Sequence, residues 1–232
     1  MPALDWWPRR PPHKDRGAVG ISFVDVLFAL VIAEILAPLR YFDAIPGYGL
    51  AHLAVAATLT LTSWVGYHNS HNRPQYLIRF PNKPLAQFVL DIAMVVAYWL
   101  AAVTAEVNIE GGAIPAPSAA AETWAVAASF GLYVVWDFVA RQIRHDERYR
   151  ARPASYDVPR RRGATMICAA LVAVIAGVVY VTNPDTARAV YLVDAVLIVL
   201  LIGFRLLKEM WTPVDLFVET TCPECGQDLQ AV

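Results

Sequence analysis

The 232-residue chain carries little charge: only 17% of its residues are Asp, Glu, Lys or Arg, whereas 57% are apolar. Soluble domains carry about 25% charged residues, so this composition points to lipid as the solvent and excludes a disordered chain. The 19 Lys and Arg are balanced by 20 Asp and Glu, which leaves no positive excess for binding nucleic acid. Three cysteines are too few for a disulfide framework. These absences favour an integral membrane protein.

Six apolar segments approach the length of about 20 residues that a helix needs to cross a bilayer. Each segment is bounded by Pro, Gly, Asn or charged residues, and the runs are too long for strands. The first carries Asp25 and Glu34 and lacks a cleavage site, unlike a signal peptide. The sequence therefore predicts an all-α polytopic membrane protein with six transmembrane helices, over residues 20–39, 49–67, 85–107, 123–143, 164–182 and 189–207.

The basic residues predict the orientation of these helices. All Lys and Arg except Arg40 and Arg188 lie in the N-terminal tail, the second and fourth loops, or the C-terminal end. Because Lys and Arg favour the cytoplasmic side, both termini are predicted to be cytoplasmic. The domains are then an N-terminal tail (1–19), a six-helix transmembrane domain (20–207) and a C-terminal tail (208–232). We interpret the Arg-rich fourth loop as a topology anchor that touches anionic lipid.

Several ionisable residues are predicted to lie at membrane depth near the cytoplasmic side. Asp25, Asp91 and Asp137 fall at similar depths in three helices, His68 ends the second helix, and Arg141 follows Asp137 by one helical turn. Charges at this depth are costly and are usually functional or paired. Two interpretations stay open: a polar network that locks the helices together, and a pathway for cations or protons.

The first helix carries polar residues on two sides. Asp25 and Glu34 are nine positions apart and point in opposite directions, and Phe23, Leu27 and Leu30 share the side of Glu34. A water-filled pore on the axis of an oligomer would accommodate Glu34, with Leu27 and Leu30 as a hydrophobic constriction. Alternatively, Glu34 snorkels to the interface or forms a pair within its own protomer.

Two short motifs resemble a known channel family. Residues 23–30 (Phe-Val-Asp-Val-Leu-Phe-Ala-Leu) resemble the Phe-Ser-Asp helix of the transmembrane-protein-175-like potassium channels, and residues 64–68 (Trp-Val-Gly-Tyr-His) resemble the end of helix 2 in that family. Val24 stands where the family has Ser, and Ser22, just before Phe23, is the candidate substitute. The match in detail covers the first two helices.

The resemblance implies a bacterial cytoplasmic-membrane channel that is a homotetramer, with helix 1 of each subunit around a central pore. Carried over by position, Asp25 would hold the hydrogen-bond network of the motif, and Leu30 would match the constricting isoleucine. Glu34 replaces an apolar residue one turn further along, which would make the pore more attractive to cations.

A Cys-x-x-Cys pair near the C-terminus indicates metal chemistry. Cys222 and Cys225, with Pro between them and Gly after them, form the sequence of a zinc knuckle. Four ligands would require the pair of a neighbouring subunit, or His13 or His145. A remnant half of a zinc ribbon and a redox dithiol are the alternatives. Cys168, inside helix 5, is interpreted as a small buried hydrophobe.

The sequence therefore predicts a potassium-leaning cation channel whose partners are the lipid bilayer, monovalent cations and further copies of the chain. The first alternative is a proton-coupled transporter that uses Asp25, Asp91, Asp137 and His68. The second is a non-catalytic membrane scaffold. An enzyme is not expected, because the sequence has no hydrolase triad order, His-rich metal motif or phosphate-binding Gly loop.

Overall fold

The computed structural model describes residues 15–69, 83–104, 119–145, 159–184 and 186–210. Within these ranges the chain is all-helical, as predicted, with no strand. A 3₁₀ segment (Ala37–Ala44) lies between the first two of its six α-helices. The α-helices are α1 (Asp15–Leu36), α2 (Gly47–Asn69), α3 (Lys83–Thr104), α4 (Ala119–His145), α5 (Pro159–Thr182) and α6 (Ala187–Met210).

Five of the described helices, α2 to α6, are each long and apolar enough to cross a membrane. The predicted membrane class is therefore supported. The helices exceed the predicted segments at several ends: α1 begins at Asp15, within the predicted tail, and α6 continues to Met210. Lys208, assigned from the sequence to the C-terminal tail, is thus a residue of α6.

Prolines mark several helix ends. Pro38 stands at the start of the 3₁₀ segment, so α1 ends at Leu36, before the predicted residue 39, because a Pro cannot donate the next helical hydrogen bond. Pro159 opens α5, where its missing N–H costs nothing. At the other end of α5, Asn183 has a positive φ of 40° and its N–H donates to the Val179 carbonyl at 2.8 Å, which terminates the helix.

The side-chain contacts show that α2, α4 and α6 run in the same direction. His52, Glu122 and Asp194 lie near the beginnings of α2, α4 and α6 and meet one another. Lys208, near the end of α6, contacts Asp137, near the end of α4. We call these two ends of the bundle the His52 end and the Lys208 end.

The core of the bundle is packed by aromatic and aliphatic side chains. Phe130 is fully buried in α4, and its ring contacts Phe204 of α6 with centroids 5.0 Å apart. Leu59 of α2 and Leu197 of α6 are also fully buried. The outward faces of α5 and α6 are apolar as well, as expected for helices surrounded by acyl chains: they expose Ile167, Val174, Val181, Leu192 and Val199.

Hydroxyl groups within α2 are satisfied by the helix itself. Thr58, Thr60 and Thr62 each donate a hydrogen bond to the carbonyl four residues earlier, at 2.6 to 2.8 Å. Without water, an unpaired hydroxyl is costly, and this local bonding removes the cost. These threonines therefore fit a membrane-spanning α2 without a partner on another helix.

Two leucines of α6 test the packing. Leu197 is 0% exposed and Leu192 is 66% exposed. We expect Leu197→Ala to lower the free energy of unfolding by about 2 kcal/mol, because it leaves a cavity. The matched change Leu192→Ala should stay within about 0.5 kcal/mol. Thermal or denaturant unfolding in detergent measures both, and equal losses would contradict the described orientation of α6.

Candidate functional site

The Asp25 carboxylate joins α1 to the end of α2. Its Oδ1 accepts a hydrogen bond from Trp64 Nε1 at 3.2 Å and lies 2.9 Å from His68 Nε2. The two rings are one helical turn apart on α2 and meet edge to face, with centroids 4.6 Å apart. The structure therefore brings the predicted residues Asp25 and His68 together and adds Trp64 as a second donor.

Asp91 joins α3 to α4. It is 2% exposed, and its Oδ1 accepts a hydrogen bond from Trp136 Nε1 at 2.7 Å. An indole N–H is only a donor, so Trp136 suits a buried carboxylate. Trp136 was not among the predicted site residues, because a Trp in an apolar segment carries no signal of its partner.

Asp137 connects three helices. Its Oδ2 accepts a hydrogen bond from Thr165 Oγ1 of α5 at 2.6 Å and lies 3.1 Å from Lys208 Nζ of α6. Arg141, predicted to accompany Asp137, is exposed and lines a surface pocket with Asp137 and Arg162. The structure thus places the ammonium group of Lys208 beside Asp137. The sequence analysis did not select Lys208.

A cavity of about 90 Å³ lies between α1, α2, α3, α4 and α6 toward the Lys208 end. A water molecule needs about 10–15 Å³ of such space, so the cavity has room for several. Its polar lining includes Ser63, Tyr67, Asp91, Arg205 and Lys208. Asp91, a predicted site residue, therefore shares one cavity with hydroxyl groups of α2 and basic groups of α6.

Three hydroxyl groups form a chain beside this cavity. Tyr98 Oη donates to Tyr133 Oη at 2.9 Å, Tyr133 is hydrogen-bonded to Ser63, and Ser63 Oγ donates to the Leu59 carbonyl. The direction is consistent, since each hydroxyl donates to the next acceptor and the chain ends at a carbonyl. This network links α2, α3 and α4 within the protomer.

The residues predicted to share the Glu34 side of α1 differ in how exposed they are in the structure. Leu30 is 61% exposed and Phe23 is exposed, whereas Leu27 and Glu34 are half-buried. The opposite face of α1 is buried in the bundle through Val24, Phe28, Val31 and Ile35. Within the protomer, Leu30 thus faces outward, and Leu27 packs partly against the core.

A second polar cluster lies at the His52 end, and the sequence analysis missed it. His52 Nδ1 is in hydrogen-bond contact with Glu122 Oε2 and lies 3.4 Å from Asp194 Oδ1. The side chains of His52 and Glu122 are 0% exposed and that of Asp194 is 1% exposed. We refer to these three residues as the His52 cluster.

A signal for the His52 cluster was present in the sequence. Each residue lies near the beginning of an even-numbered helix, and Glu122 precedes the predicted fourth segment by one position. A search for ionisable residues near the other ends of the predicted segments would have selected these three, in the same way that the search near the cytoplasmic ends selected Asp25, Asp91 and Asp137.

Other predicted site residues lie outside the described part of the chain. Cys222 and Cys225 fall in residues 211–232, and the side chain of Ser22 is likewise not described. The zinc-knuckle prediction and the proposed substitution of Ser22 for the family's Ser therefore stay predictions.

Comparison of the chain with protein-family models, with curated proteins and with solved structures finds no match. Its function therefore has to follow from the arrangement of its own side chains. That arrangement consists of bonded carboxylates at the Lys208 end, a polar-lined cavity, an outward apolar face on α1 and the buried His52 cluster.

The bond between Trp136 and Asp91 can be tested with a matched tryptophan of the same helix. Trp136→Phe removes the indole N–H and should lower the free energy of unfolding by about 1–3 kcal/mol, because a buried carboxylate loses a donor. Trp124 is 50% exposed, and Trp124→Phe should have little effect. In a double-mutant cycle, Asp91→Asn should reduce the cost of Trp136→Phe; strictly additive effects would contradict the direct bond.

Proposed function

We propose that this chain is a six-span protein of the bacterial cytoplasmic membrane that assembles into a potassium-leaning cation channel, with α1 of each copy around a central pore. As a sixth span, α1 is long enough, since its 22 residues correspond to about 33 Å at 1.5 Å per residue. The Lys208 end would face the cytoplasm, because basic residues favour that side.

One observation carries the channel proposal: the two sides of α1 have different environments. On one side, Asp25 is bonded to both Trp64 and His68 of α2. These three residues belong to the two motifs that resemble the potassium-channel family. On another side, Leu30 is left 61% exposed by its own protomer. A helix that lines a shared pore needs this combination of an anchored side and an open side.

The open side of α1 has the chemistry for a hydrophobic constriction. A ring of Leu30 side chains around an oligomer axis would narrow the pore and gate it by dewetting. Glu34, half-buried in the protomer, lies one turn further along and would raise the local cation concentration. Selectivity would then come from apolar narrowing and charge, with no ring of backbone carbonyls.

A proton-coupled transporter is the second candidate, and the cavity favours it. The cavity lies inside one protomer, has room for several waters and is lined by Asp91, Tyr67 and Ser63. A buried carboxylate beside water is the arrangement expected of a proton relay. A transporter of this kind would work as a single protomer and would not use the outward face of α1.

Liposomes that contain the purified protein and are loaded with potassium test the channel. We expect downhill potassium flux, and Leu30→Ser should raise it severalfold, because a polar ring no longer dewets. Leu192→Ser, at an equally exposed position of α6, is the matched control and should leave the flux unchanged. Absence of flux with verified folded protein would overturn the channel proposal.

A pH gradient separates the two candidates. A channel conducts potassium down its gradient regardless of the proton gradient, whereas a proton-coupled transporter accumulates its substrate only when a proton gradient is imposed. For a transporter, Asp91→Asn should abolish uptake driven by the proton gradient. Uptake that requires the proton gradient and is lost in Asp91→Asn would therefore support the second candidate over the first.

A further inference from the structure

The His52 cluster combines an imidazole and two carboxylates from three different helices. One potential ligand atom from each residue lies within 4.8 Å of the other two. All three side chains are buried, and the groups are of the types that bind divalent metal ions. From this geometry we infer that His52, Glu122 and Asp194 bind a divalent transition-metal ion of the zinc or manganese class.

The oxygen atoms of the cluster support metal ligation. Both carboxylate oxygens of Asp194 and the Oε1 of Glu122 are buried and have no hydrogen-bond partner within the described part of the chain. Leaving a buried acceptor unsatisfied is costly. A metal ion between the side chains would use these lone pairs. By contrast, Asp25, Asp91 and Asp137 at the other end of the bundle each accept hydrogen bonds from neighbouring helices.

The charge of the cluster also fits a divalent cation. In the metal-bound form both carboxylates would be ionised and the imidazole neutral, so the three ligands would carry a formal charge of −2, and a buried net charge of this size is strongly unfavourable without a counter-ion. A divalent ion brings the formal charge to zero and acts as the dominant local charge. Neutral His is also the form that binds metals.

The types of ligand atom narrow the class of metal, and one ligand separation fits a shared ion. His52 Nδ1 and Asp194 Oδ1 are 3.4 Å apart. Two ligands at about 2.1 Å from a tetrahedral ion are separated by about 3.4 Å. The hydrogen-bond contact of His52 Nδ1 with Glu122 Oε2 is closer and has to open for both atoms to bind the same ion. One nitrogen and two carboxylates suit zinc or manganese better than calcium or magnesium, which prefer oxygen alone. Three protein ligands leave a position for a water or an exchangeable ligand.

Metal binding would also join helices that are otherwise weakly connected. α4 and α6 have little direct backbone contact, whereas α2 packs along α6. An ion held by α2, α4 and α6 would fix the His52 end of the bundle and stabilise the folded state by mass action. The inference is independent of ion conduction, because the cluster lies inside the protomer and excludes α1.

Metal binding can be measured on the full chain with Cys222→Ser and Cys225→Ser, which remove the other predicted zinc ligands. Zinc titration of the protein in detergent should give one ion per chain and raise the unfolding temperature. Glu122→Gln with Asp194→Asn should weaken binding by about 100-fold or more, since even loss of an outer-shell partner costs about 10–100-fold. Asp91→Asn alters another buried aspartate and should leave zinc affinity unchanged.

A second measurement does not depend on loss of binding. In the same background, His52→Cys replaces the imidazole with a thiolate, and bound cobalt should then show a sulfur-to-metal charge-transfer absorption. Leu53→Cys, at the next buried position of α2, is the control and should lack this band. The proposal is overturned if the folded protein binds no stoichiometric zinc. It is also overturned if zinc binding survives the double change at Glu122 and Asp194, as adventitious binding would, or if the His52→Cys and Leu53→Cys variants give the same cobalt spectrum.

Discussion

A carboxylate inside an apolar helical bundle needs a donor from the protein, because lipid chains supply none. This constraint organises the Lys208 end. Asp25 accepts from Trp64 of α2, Asp91 from Trp136 of α4, and Asp137 from Thr165 and Lys208. Each donor lies on a different helix from its carboxylate, so every bond also fixes a helix pair. The polar groups therefore define which helices are neighbours as well as what chemistry is present.

The His52 end meets the same constraint in a different way. There, two acids face one imidazole, and three of their carboxylate oxygens lack hydrogen-bond donors among the described residues. At the Lys208 end, indole, hydroxyl and ammonium donors face single acids, whereas at the His52 end two acids share one imidazole. A cluster of this kind is balanced by a bound cation or by protons. The acids at the Lys208 end are thus bonded to donors from neighbouring helices, whereas the His52 cluster is the one that we propose binds a cation.

The face of α1 that packing leaves open is the structural basis of the proposed ion conduction. The direction of Asp25 toward α2 follows from its two donors, and it leaves Leu30 pointing away from the bundle. The opposite orientation of Asp25 and Glu34 could be deduced from helical periodicity. Periodicity alone did not separate Leu30, which is exposed, from Leu27, which packs partly against the core, because the width of a contact face depends on the neighbouring helix.

The all-helical class and the approximate position of every helix followed from the sequence, since apolar runs of this length have one stable form in lipid. The sequence also placed Asp25 and His68 near the same end of the first two helices, and the structure brings them into contact. Only the tertiary structure decided that Trp64, Trp136 and Lys208 are donors to the carboxylates, and that His52, Glu122 and Asp194 meet. These residues are separated by tens of positions in the chain, and helical periodicity describes one helix at a time; the rotation of each helix against its neighbours is fixed by side-chain packing.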